Sequence, residues 1–282
     1  MTDIGKCLGA FMSFGSINSY KSARMTQVSG NIVLAGETGA GKSSIINMIA
    51  GTTFAQTSSG AAGCTLQSDS YILPMHDRNY RFFDTVGLDE GEKGTVERTA
   101  VIANLYKLIS GLDDGISLLI FCMRGPRIKN ATHQNWKLFH DIICNKKIPT
   151  LLVVTGLENE ENMNKWWWNN RRIFEDQGIY PDDTACITAI RGRTLKDGRH
   201  AFDDQYEESQ SKILNMVLNR VLLRPQRVAK IDWFYKVLSS LCAFFGWPMV
   251  RDAKVIRDIA TLCSFSPEET RRLGEEFDSD KP

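Results

Sequence analysis

The sequence predicts an α/β fold: a mostly parallel sheet with one antiparallel hairpin strand, layered by helices, plus a C-terminal helical extension. Three observations carry this reading. Apolar runs at 32–35, 117–122 and 149–154 read as buried strands, and amphipathic helical stretches alternate with them. Two alternating runs, 69–73 and 80–83, are separated by a short polar turn at 74–79, which makes a hairpin. Between the first strand and the first helix lies Gly36-Glu37-Thr38-Gly39-Ala40-Gly41-Lys42-Ser43, a full match to G-x-x-x-x-G-K-[ST].

The remaining elements are organised around that loop. Ile32-Val33-Leu34-Ala35 leads into it, and a helix from Ser44 to Ala50 leaves it and stops at Gly51. Strand, glycine loop and helix N-terminus aim backbone N–H groups and a positive dipole end at one point, which suits an oligophosphate. Residues 36–44, Ser44 included, form the expected cradle. Lys42 is placed to reach the β- and γ-phosphates, and the Ser43 hydroxyl to ligate Mg²⁺.

Residues 1–29 read as a lead-in without clear pattern. The stretch 52–67, rich in Thr, Ser, Gly and Ala, is a loop where a nucleotide-sensing switch usually lies. The hairpin's second strand runs into Asp84-Thr85-Val86-Gly87-Leu88. There the Asp84 carboxylate can hold Mg²⁺ through water, and the Gly87 N–H can meet a γ-phosphate. A helix is expected over 95–110. The strand at 117–122 opens onto a basic loop at 123–129, and a helix follows from Thr132 to Cys144. The strand at 149–154 ends in Thr155-Gly156-Leu157-Glu158. The helix from Met163 to about Gln177 carries Trp166-Trp167-Trp168, which cannot share one face, so one indole is expected at the surface as a partner contact. A last strand covers 185–189, a basic loop 191–200, and a closing helix 213–223. The expected organisation is a lead-in at 1–29, a nucleotide domain at 30–225, a helical extension at 226–265 and an acidic tail at 266–282.

Composition narrows the function classes. The chain has 282 residues, with 34 Lys and Arg against 33 Asp and Glu, so charge does not point to a nucleic-acid partner. Its seven cysteines are scattered with no C-x-x-C pair, which argues against a metal cage or disulfide framework and for reduced thiols in the cytoplasm. No leader-like N-terminal pattern is present, residue 2 is Thr, and no apolar run reaches spanning length.

Taken together, the phosphate loop, hairpin, D-T-x-G-L, T-x-x-E and the T-A pair at Thr188-Ala189 resemble the translation-factor-like P-loop GTPases. Within them the chain resembles the septin-related branch, with its immunity-associated (IAN/IMAP, AIG-type) and chloroplast-import receptor GTPases. The residues that carry this are G-E-T-G-A-G-K-S-S at 36–44, D-T-V-G-L at 84–88 and T-G-L-E at 155–158. F-C-M-R-G-P-R at 121–127 and V-V-T-G-L-E at 153–158 are similar to fungal AIG-type G-domain proteins. The resemblance implies a P-loop GTPase three-layer sandwich over about 28–225, with GTP or GDP and Mg²⁺ as ligands. It implies Thr65 as the switch threonine on Mg²⁺, and Thr155, Glu158, Thr188 and Ala189 around the base. Two departures stand out. The usual N/T-K-x-D appears as T-G-L-E, so Glu158 takes the place of the guanine-reading Asp and the lysine stem is missing. Leu88 stands where Ras-like enzymes place a water-orienting Gln.

Three function classes follow. The first is a slow GTPase switch linked to dimerisation through the nucleotide face, with Arg124 or Arg127 supplied to a partner's site. The second is a nucleotide-gated assembly module with negligible hydrolysis, which Leu88 favours. The third is an ATPase or small-molecule kinase, for which 191–199 is the one basic lid. Beyond the nucleotide domain, residues 231–247 set Trp233, Phe234, Val237, Leu238, Leu241, Phe244 and Phe245 at helical spacing, with basic residues flanking them to 257. Such a stripe fits a helix packed on the nucleotide domain or on a second protomer, and it also fits peripheral contact with an anionic membrane surface.

Overall fold

The computed structural model describes residues 27–52, 69–85, 114–128 and 130–225, together with positions 108, 112, 234, 237–239, 257, 261, 266–268, 270, 271 and 275. Among the described residues six strands form one sheet: β1 (Val28–Gly36), β2 (Asp69–Met75), β3 (Arg78–Asp84), β4 (Leu118–Arg124), β5 (Thr150–Thr155) and β6 (Asp183–Cys186). Their order is β2-β3-β1-β4-β5-β6, and only the β2–β3 pair is antiparallel. Among the described residues, the continuous α-helices are α1 (Lys42–Ala50), α2 (Asn130–Trp136), α3 (Met163–Asp176) and α4 (Asp203–Arg220). This is the expected fold class.

The apolar runs are buried on both faces because successive side chains alternate across a strand. On β4, Leu119, Phe121 and Met123 join one core cluster while Leu118, Ile120 and Cys122 join the other. β5 divides the same way, with Leu152 and Val154 opposed to Leu151 and Val153. One cluster is closed by α1 and α4 through Ile45, Met48, Ile213 and Val217. The other is closed by Trp136 of α2, Phe139, and Trp166 and Phe174 of α3. Register then brings the strand ends level: Leu34 lies opposite Asp84, Gly36 opposite Cys122, and Arg124 opposite Thr155. The loops that leave the parallel strands therefore gather at one edge, the usual place for a ligand in an open α/β sheet.

The structure corrects several boundaries. Pro74 and Met75, expected in the turn, continue β2, where Pro74 pairs with Asn79 and only His76 and Asp77 turn. An edge strand tolerates proline because its outward N–H has no ladder partner to lose. The helix expected from Thr132 begins at Asn130 and widens into a π-helical segment at Lys137–Ile143. β6 stops at Cys186, although the Ile187 N–H still donates to the Val154 carbonyl at 2.9 Å. α4 starts ten residues before the expected 213, at Asp203. Its first half is polar, with only Ser209 buried, so it shows no apolar period. The Asp203 and Asp204 carboxylates instead favour the start of this helix through its dipole.

Of the tryptophan triplet, Trp166 is buried, Trp167 packs against the core, and Trp168 is 67% exposed. Cys122, Cys144 and Cys186 are free and buried, as the scattered cysteines implied. Of the C-terminal stripe, Phe234, Val237 and Leu238 are fully buried in the same cluster as Trp136 and Phe139. Those three residues pack in the core on the α2 and α3 side of the sheet; the rest of the stripe, like the 95–110 helix apart from Leu108, lies outside the described residues. Among the described residues no helix is long and apolar enough to cross a membrane.

Candidate nucleotide site

The phosphate loop starts where β1 meets β4. At Gly36 the backbone has φ +134°, and a β-carbon there would lie 1.9 Å from the Cys122 carbonyl oxygen. Only glycine lets the loop leave the sheet at this point. Gly39 and Gly41 also have positive φ, and a β-carbon on Gly41 would press on Thr155 at 3.2 Å. Gly36→Ala is expected to cost roughly 3 kcal/mol or more in unfolding free energy. Gly39→Ala, where nothing lies within 4 Å, is expected to cost only about 1 kcal/mol. Urea midpoints at constant m-value measure both.

The loop's shape is set by side chains as well as glycines. The Lys42 ammonium, almost wholly buried, donates to the Gly36 and Glu37 carbonyls at 2.9 Å each. The Thr155 hydroxyl donates to the Ala40 carbonyl at 2.9 Å, tying the end of β5 to the phosphate loop. The Thr132 hydroxyl of α2 donates to the buried Glu37 carboxylate at 2.9 Å. Glu37 thus faces α2, while Thr38 and Gly39 stand exposed at the loop's crest. Ser43 and Ser44 are half-buried in the first turn of α1.

The Ser43 hydroxyl donates to the Asp84 carboxylate at 2.5 Å, so the two expected Mg²⁺-holding groups stand together. Thr85 fixes this strand end: its hydroxyl and its N–H both donate to the Leu34 carbonyl, at 2.7 and 3.2 Å. Beneath the loop, burial pushes the Cys122 thiol up to about 12, with Lys42 opposing, so it stays a neutral packing group. Thr65 and Gly87 lie outside the described residues, as does Leu88.

Three residues beyond β5, where the base-reading carboxylate is expected, Glu158 is half-buried, and its Oε2 is fully shielded yet has no hydrogen-bond partner among the described residues. A shielded carboxylate oxygen without a donor is costly, and turning this half-buried side chain toward a ligand that offers N–H groups removes the cost. Thr188 is fully buried; its N–H donates to Ser209 Oγ at 3.2 Å and its hydroxyl to the Ile190 carbonyl at 3.1 Å. Its side chain therefore shapes the turn, and Ala189 packs half-buried against the core. Arg124 and Arg127 are exposed on the loop after β4, where the Trp166 indole N–H donates to the Pro126 carbonyl at 3.2 Å.

The residues present fit a guanine nucleotide with Mg²⁺: a glycine cradle, a lysine, a Ser–Asp pair and, just beyond β5, a carboxylate oxygen unpartnered among the described residues. Sequence reading missed Thr132, Thr85 and Ser209, whose partners lie far away in the chain. Residues 31–156 match the family model described as 50S ribosome-binding GTPase. The fold is that of a P-loop GTPase.

Three solved structures illustrate the likeness. A point variant of Era from Aquifex aeolicus, bound to GDP·AlF4⁻, is 15% identical, with a TM-score of 0.48 over 68% of this chain and 56% of that one. The chain thus spans little more than half of Era's length. The chloroplast translocon GTPases atToc33 and psToc159, studied for the importance of dimerisation to their activity, give 18% identity and a TM-score of 0.48. That likeness covers 76% of this chain and 89% of that one. Toc33 of Arabidopsis thaliana with GDP and Mg²⁺ is 16% identical, with a TM-score of 0.43 over 74% and 90% of the two chains. No curated protein sequence matches the chain.

Proposed function

We propose that this protein is a guanine-nucleotide switch of the septin-related AIG type, a slow GTPase whose GTP-bound form self-associates through the nucleotide face. The observation that carries the base assignment is the shielded, partnerless Oε2 of Glu158 at the end of β5. Guanine offers N1–H and an exocyclic amine to such a carboxylate, whereas adenine would leave it unpaired. In this reading Lys42 holds the β- and γ-phosphates, Ser43 and Asp84 hold Mg²⁺ with Thr65, Gly87 senses the γ-phosphate, and Thr188 and Ala189 wall the base. Mg²⁺, when bound, neutralises charge developing on the phosphates. Leu88 can neither donate to water nor accept from it, which supports a low intrinsic rate.

The G domain is assigned to 30–225, the helical extension to 226–265 and the acidic tail to 266–282, with 1–29 as lead-in. The buried free thiols support a cytoplasmic setting. Self-association is supported by exposed arginines beside the nucleotide edge, since an arginine supplied in trans can raise turnover by about 10³–10⁵. Light scattering and phosphate release, followed together with GTP, GDP, ATP and a non-hydrolysable GTP analogue, test the whole reading. Scattering is expected to rise with GTP and its analogue only, and specific activity is expected to climb with protein concentration. Activity flat across a wide protein titration would reject the dimer, and phosphate release from ATP equal to that from GTP would reject the switch.

A further inference from the structure

Within Thr155-Gly156-Leu157-Glu158 the second position carries no side chain, and its φ of +77° disfavours one. The stem that a lysine would lay beside the base is therefore absent from this segment. Its place is taken from another strand. A β-carbon built on Gly156 would meet Arg124 Cγ at 3.2 Å and Nε at 3.4 Å. Arg124 is the last residue of β4, opposite Thr155 in register, and the next N–H, of Gly125, donates to the Thr155 carbonyl at 2.8 Å. The two segments are also locked by packing, because a β-carbon on Gly125 would lie 2.7 Å from Leu157 Cδ2. Arg124 thus has its stem held against the base-reading segment while the residue as a whole stays exposed.

We propose that Arg124 is the base-covering residue of this site. Its stem stands in for the missing lysine stem, and its guanidinium plane lies against the purine whose edge Glu158 reads. This rests on the reading of Glu158 given above. A planar, weakly hydrated guanidinium stacks on an aromatic face as an ammonium cannot, so arginine suits a flat base here. The role acts in cis, within one protomer, and leaves Arg127 as the arginine available to a partner's site.

Calorimetric binding of GDP, ADP and inorganic tripolyphosphate to the full chain and to Arg124→Ala, Arg124→Lys and Glu158→Ala tests the proposal. Arg124→Ala is expected to weaken GDP binding roughly five- to thirty-fold and to leave tripolyphosphate binding unchanged. Arg124→Lys is expected to recover only part of that loss, through its stem. Equal losses for GDP and tripolyphosphate would put the side chain on the phosphates or in the fold and overturn the proposal. Unchanged GDP affinity in Arg124→Ala would overturn it as well. The Glu158→Ala arm separates the two readings. If that variant keeps the preference for GDP over ADP, the base assignment itself fails. If it loses the preference while Arg124→Ala binds GDP normally, only the cover fails.

Discussion

Lys42→Ala is expected to lower the affinity for Mg²⁺-GTP by about 10²-fold or more while the protein still unfolds cooperatively near its original temperature. In the loop Lys42 already donates to two carbonyls, those of Gly36 and Glu37, which places its ammonium at the centre of the cradle. A hydrogen bond from a charged donor is worth about 1.5–3 kcal/mol, or roughly 10- to 150-fold in binding, and contact with two phosphates raises that further. Stability changes less because alanine is the best helix former at the first position of α1, which offsets part of the loss of the two lysine–carbonyl bonds. Calorimetric titration beside a thermal melt measures both quantities. Wild-type affinity in the variant would show that the loop does not hold the phosphates in the proposed way.

Glu158→Ala is expected to reduce the preference for GTP over ATP by roughly 10²-fold or more, chiefly by weakening GTP. The motive is the shielded Oε2 that lacks a partner among the described residues. Sites that pair buried polar groups with a ligand discriminate by up to about 10⁴–10⁵, because the wrong ligand leaves those groups unpaired. Truncation removes both the attraction for guanine and the penalty against adenine. Competition of ATP against labelled GTP, in wild type and variant, reads the ratio directly. A wild-type protein that binds ATP as well as GTP would defeat the assignment before any variant is made.

How much of this was legible in the sequence depends on the range of the interaction that decides each feature. The phosphate loop is local: eight contiguous residues between a strand and a helix announce it, and the structure adds only why Gly36 must be glycine. The strands at 118–124 and 150–155 were legible because burial on both faces demands an unbroken apolar run. Pro74 misled because its tolerance depends on β2 being the edge strand, a property of the whole sheet. The polar half of α4 hid because one buried serine leaves no periodic trace. Thr132 and Glu37 are 95 residues apart, and Thr155 and Ala40 are 115 apart. No local pattern distinguishes those hydroxyls from any other threonine on a helix or at a strand end. Glu158 could be named from its motif, but its missing partner is visible only in three dimensions. Arg124 was legible as a basic residue at a sheet edge, and its seat against Gly156 was not.

The two threonine bonds to the phosphate loop have a kinetic meaning. A glycine-rich turn left to itself samples many shapes, and a ligand must select and freeze one of them. Here Thr132 grips the loop through Glu37 and Thr155 grips it through Ala40, one from a helix and one from a strand end, while Lys42 closes it from within. The cradle is thereby preorganised, so little ordering entropy remains to be lost at the phosphates when a nucleotide arrives. Encounter then needs no slow rearrangement of this loop, and nucleotides that share the same phosphates differ in how long they stay rather than in how fast they enter.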